Sequence, residues 1–204
     1  MDQFSDKDIH DIVERVVRQT LALGSSTPAA TPSTVVTANT PTQSPAASEK
    51  KIVAIGTDHG GVDLKNILVK ELSDSGYEVI DCGTNTKDAV DYPDIALAVA
   101  RLVSEGKAWR GVIIDGAGIG SCMTANKVPG IRAALCYDHS TAVNSREHND
   151  ANVLTLGAGL IGVNLAKHIL STWLSTEFGG GRHAKRVDKI MAIEKTFLKD
   201  GKVS

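Results

Sequence analysis

The sequence predicts an α/β domain built on a five-stranded parallel sheet with helices on both faces. Three observations carry that prediction. Beyond residue 50, short β-branched runs alternate with amphipathic segments of helical period. The runs are continuously apolar, as in Val112-Ile113-Ile114, which suits strands covered on both faces. The unusual polar residues fall at the carboxyl ends of those runs, where open α/β sheets bind ligands.

Taken in order, strand one is expected over 51–56, followed by the loop Thr57-Asp58-His59-Gly60-Gly61. A helix over 62–75 turns Leu64, Ile67, Leu68 and Leu72 inward, and Gly76 stops it. Strand two spans 77–82. A polar loop with Asp88, Asp91, Tyr92 and Pro93 leads into a helix over 95–105. Strand three spans 111–115 and strand four 132–137. Asp138-His139 then precedes a helix from about residue 140. Strand five spans 152–156, and Gly157-Ala158-Gly159 follows it. A helix over 160–175, a turn at 179–183 and a helix over 187–198 close the domain.

The segment 111–127, GVIIDGAGIGSCMTANK, organises the rest. Asp115 ends a buried strand. Gly116, Gly118 and Gly120 free the backbone of Cβ sterics, and Ser121 opens a helix. Consecutive N–H groups from Gly116, Ala117, Gly118, Ile119, Gly120 and Ser121 can form a nest for a phosphate or a developing oxyanion. Asp115 beside it offers proton transfer. The plainer reading is a tight strand-to-helix turn. A dinucleotide fingerprint is disfavoured, because Ser121 stands where a third glycine would fall and the turn follows the third strand. No Gly-Lys-Ser/Thr follows, so it is not a Walker A loop.

Residues 1–49 differ in kind. Ser5-Asp6-Lys7-Asp8 reads as a capping box. Ile9, Ile12, Val13, Val16, Val17, Thr20 and Leu23 continue as one apolar stripe, so residues 1–24 form a short amphipathic helix ending near Gly24. Residues 25–49 are a linker rich in Ser, Thr, Pro and Ala, expected to be disordered. A helix on a tether suggests a docking tag. Packing on its own domain, or on its copy, is the alternative. The remaining segment, 50–204, is the folded domain.

Composition narrows the function classes. A formal net charge of -2 gives no electrostatic case for nucleic acid. No apolar run is long enough to span a membrane, and the first residues lack the basic and apolar regions of a secretory signal. Cys82, Cys122 and Cys136 are odd in number and widely spaced, which argues for a reducing, cytoplasmic compartment and against a disulfide or zinc framework.

Several groups can carry chemistry. Arg182, His183, Lys185 and Arg186 cluster at a helix start, where cations oppose the macrodipole unless an anion lies between them. A solvated charge run is the alternative. His59 and His148 are candidate acid–base groups; His10, His139 and His168 read as surface or structural. No pair has a persuasive metal-ligand context, and Cys122 reads as a small core residue. A phosphate grip, histidines, a carboxylate and an oxyanion nest suit proton chemistry on a small phosphorylated carbonyl compound, as in a sugar-phosphate isomerase.

Over residues 51–197 the sequence resembles type B ribose-5-phosphate isomerases and the galactose-6-phosphate isomerase subunits. The motifs are Gly56-x-Asp58-His59-x-Gly61, Asp91-Tyr92-Pro93, the 116–127 turn, Ser145-Arg146-x-His148-Asn149-Asp150-x-Asn152-Val153, and Gly180-Gly181-Arg182-His183-x-x-Arg186-Val187. The resemblance implies a Rossmann-like α/β/α sandwich and a homodimer or tetramer with sites shared between subunits. It also implies isomerisation without metal or cofactor. Asp58 and His59 would contact sugar and phosphate, and residues 116–121 would form the oxyanion nest. His148 would open the ring as general acid, Asn149 would bind substrate, and Arg182 and Arg186 would hold phosphate.

Three positions depart from the cysteine-type enzymes. Asp115 stands where they carry the catalytic base, Ala117 replaces a threonine, and Gly159 replaces a phosphate-binding arginine. Some relatives place a glutamate where this chain has Ser121. The pattern around Asp115 resembles the A subunit of galactose-6-phosphate isomerase. Two expectations follow: an isomerase with Asp115 as base, or a sugar-phosphate-binding subunit completed by a paralogue. The tail resembles, in architecture, the encapsulation peptides that carry enzymes into bacterial microcompartments, docking through residues 4–23 on a shell or cargo protein.

Overall fold

The computed structural model describes residues 51–198. The expected amphipathic helix and linker of residues 1–49 lie outside the described residues. The elements are β1 (Ile52–Thr57), α1 (Val62–Asp74), β2 (Glu78–Asp81), α2 (Tyr92–Ser104), β3 (Arg110–Asp115), α3 (Ile119–Ala125), β4 (Ala133–Leu135), α4 (His139–Glu147), β5 (Val153–Gly157), α5 (Val163–Ser175) and α6 (Arg182–Phe197). All neighbouring strands pair in parallel, in the order β2-β1-β3-β5-β4. The α/β fold with five parallel strands is thus the one expected.

Strand alternation divides the core into two layers. Val53, Ile55, Val112, Ile114, Leu154 and Leu156 face one side, against Leu64, Leu68 and Leu72 of α1, Ala142 of α4, and Ile169, Leu170 and Trp173 of α5. Ala54, Ile113 and Val153 face the other, against Ala96, Val99 and Ala100 of α2 and Ala125 of α3. Every residue of β3 is buried, as its apolar run requires.

Helix starts differ most from expectation. Helix α2 begins at Tyr92 rather than 95, because Pro93 falls in its first turn, where its fixed φ suits a helix and no amide donor is needed. Helix α5 begins at Val163 rather than 160. The intervening backbone is spent otherwise: the N–H groups of Leu160 and Ile161 donate to the Gly157 carbonyl at 3.0 and 3.1 Å. Helix α6 begins at Arg182 rather than 187, so the basic run lies in its first turn. On α1, Ile67 is only half-buried while Lys65 is 0 % exposed. Its ammonium donates to both Asp81 oxygens at 2.8 and 2.7 Å and to Asn85 Oδ1 at 2.6 Å, tying α1 to the β2–α2 loop.

At the amino end of the sheet a second buried cation joins the layers. Arg110 Nη1 donates to the carbonyls of Trp173 and Leu174, at 2.8 and 2.9 Å, in the last turn of α5. Those carbonyls have no intrahelical donor and carry the negative end of the helix dipole. The guanidinium sits 4.0 Å from the Trp109 ring centroid and 5.0 Å from that of Trp173. Burial pulls Arg110 down to about 10. Trp173 is itself buried and donates to Ser145 Oγ at 3.1 Å, holding α5 to α4. Among the described residues, no helix is long and apolar enough to cross a membrane.

Trp173→Ala removes the side chain that links α4, α5 and the Arg110 cap. It should lower unfolding stability by about 3–5 kcal/mol, read as a shift in the urea midpoint at unchanged slope.

Candidate active site

The strand order reverses its winding between β1 and β3: one crossover runs to each edge of the sheet. A crevice therefore opens at the carboxyl ends of these two strands. β1 delivers Asp58 and His59 to it, and β3 delivers Asp115. Asp58 is 9 % exposed and its Oδ1 accepts the Gly60 N–H at 2.9 Å, which fixes the loop. His59 is exposed, and its Nδ1 accepts the Val90 N–H at 3.4 Å. A ring nitrogen that accepts carries no proton. Neutral His59 is therefore an Nε2–H donor on the far side of its ring.

The glycine turn is occupied by its own strand-end carboxylate. Asp115, 5 % exposed, accepts the Ala117 N–H at 2.8 Å and that of Gly118 on Oδ1, and the Ser121 N–H at 3.0 Å on Oδ2. Gly118 makes this possible. Its φ is 77°, and an added Cβ would stand 2.5 Å from Leu135 Cδ1 and 2.9 Å from the Leu156 carbonyl carbon. Helix α3 starts at Ile119, ahead of the expected Ser121, so Ile119 and Gly120 supply the first-turn donors that lack intrahelical acceptors. The Ser121 hydroxyl is buried without a hydrogen-bond partner.

Neighbouring elements brace the turn. The Ala158 N–H donates to the Asp115 carbonyl at 2.8 Å, and the Gly159 N–H to the Gly116 carbonyl at 3.0 Å. Tyr137, two residues beyond the end of β4, donates its hydroxyl to the Ala117 carbonyl at 3.0 Å. The Tyr92 ring covers Gly120 so closely that an added Cβ would stand 2.5 Å from it.

The remaining expected residues gather elsewhere. Helix α4 starts beside the carboxyl end of β4, where Asp138 caps it by accepting the Thr141 N–H at 2.7 Å. Nine residues carry it about 13 Å back across the sheet. Its C-cap is His148, near the amino end, where Asp150 pairs with Arg132 at 2.8 Å just ahead of β4. The Gly179 N–H donates to the Glu147 carbonyl at 2.9 Å and brings the start of α6 alongside. His148, Asn149, Arg182, His183 and Arg186 therefore form a second group. Asn149 Nδ2 donates to the Asn144 carbonyl at 3.1 Å. The His148 and His183 rings stack at 4.1 Å between centroids, 4° from parallel. Within one chain, the structure brings Asp58, His59, Asp115 and residues 116–121 together, and places His148, Asn149, Arg182 and Arg186 at the other end.

The family described as Ribose/Galactose Isomerase matches residues 53–190. This chain belongs to the ribose/galactose isomerase family. Ribose-5-phosphate isomerase B of Escherichia coli is 45% identical over 144 residues, covering 71% of this chain and 97% of that protein. D-erythrulose-4-phosphate isomerase of Pectobacterium atrosepticum is 45% identical over 139 residues, covering 68% and 91%. The structure of ribose-5-phosphate isomerase B from Clostridium thermocellum aligns with a TM-score of 0.71 at 53% identity, covering 72% of this chain and 99% of that one.

As a ribose/galactose isomerase, the chain adds residues that its sequence motifs did not single out as site residues. Tyr92 and Tyr137 shape the glycine turn, Asn144 bridges His148 and Asn149, and His183 stacks on His148. Tyr92 and His183 stand inside motifs the sequence offers and Tyr137 adjoins Asp138-His139 at a strand end, whereas Asn144 carries no such signal. Burial pushes the thiols of Cys82 and Cys136 up, away from thiolate chemistry.

Asp115→Asn would turn an amide donor toward one of the N–H groups that the carboxylate now accepts. The variant should lose about 1–3 kcal/mol of stability, measured by chemical denaturation, with the fold retained by far-ultraviolet circular dichroism.

Proposed function

We propose that this chain interconverts the aldose and ketose forms of a phosphorylated sugar through an enediolate, in a site assembled from two copies of the chain. The carrying observation is Asp115: a buried carboxylate, aimed by three N–H groups, at the switch point of the sheet. Oδ1 has both lone pairs engaged. Oδ2 has one bond and a free lone pair, so Oδ2 is the atom that would take the proton from C2 and return it to C1. The N–H groups of Ile119 and Gly120 would face the enediolate oxygen. Asp58, through its free oxygen, and His59, as an Nε2–H donor, would hold the sugar.

His148 would open the ring as general acid, Asn149 would bind a hydroxyl, and Arg182 and Arg186 would hold phosphate. These groups lie at the far end of their own chain, so a second copy would bring them to Asp115. Two exposed apolar regions support such a pairing. Ile119 and Met123 flank the turn, and Ile190, Ile193 and Phe197 line α6. Between α4, α6 and the sheet edge at β4 lies a groove of about 620 Å³ that includes Asn149 and Ile190. The names of the relatives support ribose 5-phosphate and ribulose 5-phosphate as the first pair to test, with tetrose phosphates next.

The purified chain should isomerise ribose 5-phosphate, or another member of a pentose- and tetrose-phosphate panel, and lose that turnover in Asp115→Asn. Sharing of the site has a sharper test. Asp115→Asn and His148→Asn homomers should each be inactive, whereas mixed and re-equilibrated subunits should recover about a quarter of wild-type activity, because each hybrid dimer holds one intact site. No recovery on mixing would place the whole site within one chain.

The tail is read as a separate tag. Residues 4–23 would dock on a microcompartment shell or cargo protein, taking a cytoplasmic enzyme into that compartment. Deleting residues 1–48 should leave turnover unchanged and abolish co-purification with shells. Undiminished co-purification would refute the tag.

A further inference from the structure

The stacked pair His148–His183 has hydrogen-bond partners that fix where each ring keeps its proton. Asn144 Oδ1 accepts from Asn149 at 3.2 Å, so its amide nitrogen faces His148 Nδ1, at 2.8 Å, as a donor. Neutral His148 therefore holds its proton on Nε2, 3.6 Å from Glu147 Oε1. His183 is arranged the other way. Arg182 Nε donates to its Nε2 at 3.5 Å, so its proton belongs on Nδ1, which is buried without a partner. Two parallel rings 4.1 Å apart resist carrying two positive charges.

We propose that His183 is a proton-linked positioning residue: an anion seated on Arg182 and Arg186 lets His183 take up a proton, so the ring pair becomes charged in the loaded site. This rests on the reading of Arg182 and Arg186 as the phosphate grip. The groups facing His183 come from two elements. Helix α6 supplies Arg182 and Arg186, and the end of α4 supplies Glu147 and His148. In the free protein, desolvation first, then His148 and the two arginines, hold His183 below the ordinary imidazole range; only Glu147 opposes them. A bound dianion would neutralise both arginines and draw the Arg182 guanidinium toward itself. That releases the Nε2 lone pair, and Nε2 takes a proton from solvent. The charged ring stacked on His148 then appears when there is a sugar ring to open, and the empty site stays uncharged at this position.

Sulfate is the probe, because it stays a dianion across the relevant range and brings no proton of its own. The ring resonances of His183 are followed by nuclear magnetic resonance from pH 5 to 8 (about the span of imidazole titration), with and without saturating sulfate. The His183 midpoint should rise by about one pH unit with sulfate, the size expected when adjacent like charges are neutralised. Calorimetry in buffers of different ionisation heat should show proton uptake per sulfate bound. Uptake should vanish in His183→Asn, with sulfate affinity kept within about threefold. Arg182→Gln with Arg186→Gln should raise the midpoint without sulfate and abolish its response to sulfate. An unmoved midpoint under saturating sulfate, or uptake that survives in His183→Asn, overturns the coupling alone. Absence of saturable sulfate binding removes the anion grip and the coupling together.

Discussion

The Asp115 carboxylate accepts three main-chain N–H groups where β3 gives way to α3, and the carboxyl end of the sheet is built around that arrangement. A buried carboxylate is tolerable only where donors surround it. The turn supplies them by wrapping tightly, which needs a left-handed residue at 118 and leaves no room there for a side chain. The wrapped turn in turn exposes the Ala117 and Gly116 carbonyls, which Tyr137 and Gly159 satisfy from the far side. A glycine nest usually waits for an external anion. This one holds an internal anion, and the first-turn donors of α3 remain for a ligand.

The second constraint is the length of α4. A parallel sheet obliges each connecting helix to run back toward the amino end. Nine residues are enough to carry His148 out of reach of the strand ends. The turn before α6 is fastened to the Glu147 carbonyl, so the arginines follow the histidine. A family whose members isomerise sugars has here a chain with its carboxylate at one end and its cations at the other. The apolar residues left exposed on α6 and around the glycine turn are consistent with the same arithmetic.

Much of this was legible in the sequence, and the part that was not has a physical reason. Strand positions followed from β-branched runs such as Val112-Ile113-Ile114, since burial on both faces leaves little else. Asp58, Asp115 and the glycines were legible as a cluster at the carboxyl ends of strands, because strand ends are where polar residues need explaining. Helix starts were harder. The sequence puts Pro93 in a loop, whereas it lies in the first turn of α2, and puts Arg182 in a turn, whereas it begins α6. Lys65 could not be read at all: a lysine among Leu64, Ile67 and Leu68 looks solvent-facing until Asp81 and Asn85 arrive from another element. The separation of Asp115 from His148 was equally hidden, because motif order along the chain says nothing about which end of the sheet each motif reaches. The stacking of His148 on His183 depends on contact across 35 positions that no local pattern encodes.

Arg110 is neutralised by helix carbonyls and ring faces instead of by an acid. Carbonyl oxygens do not titrate in the range where carboxylates do, and mobile ions reach a buried guanidinium poorly. The fastening of α5 to the sheet is thus indifferent to acidity and to electrolyte. The Asp150 pairs with Arg132 and Arg146 are built differently, as carboxylate bridges that need a charge on each side.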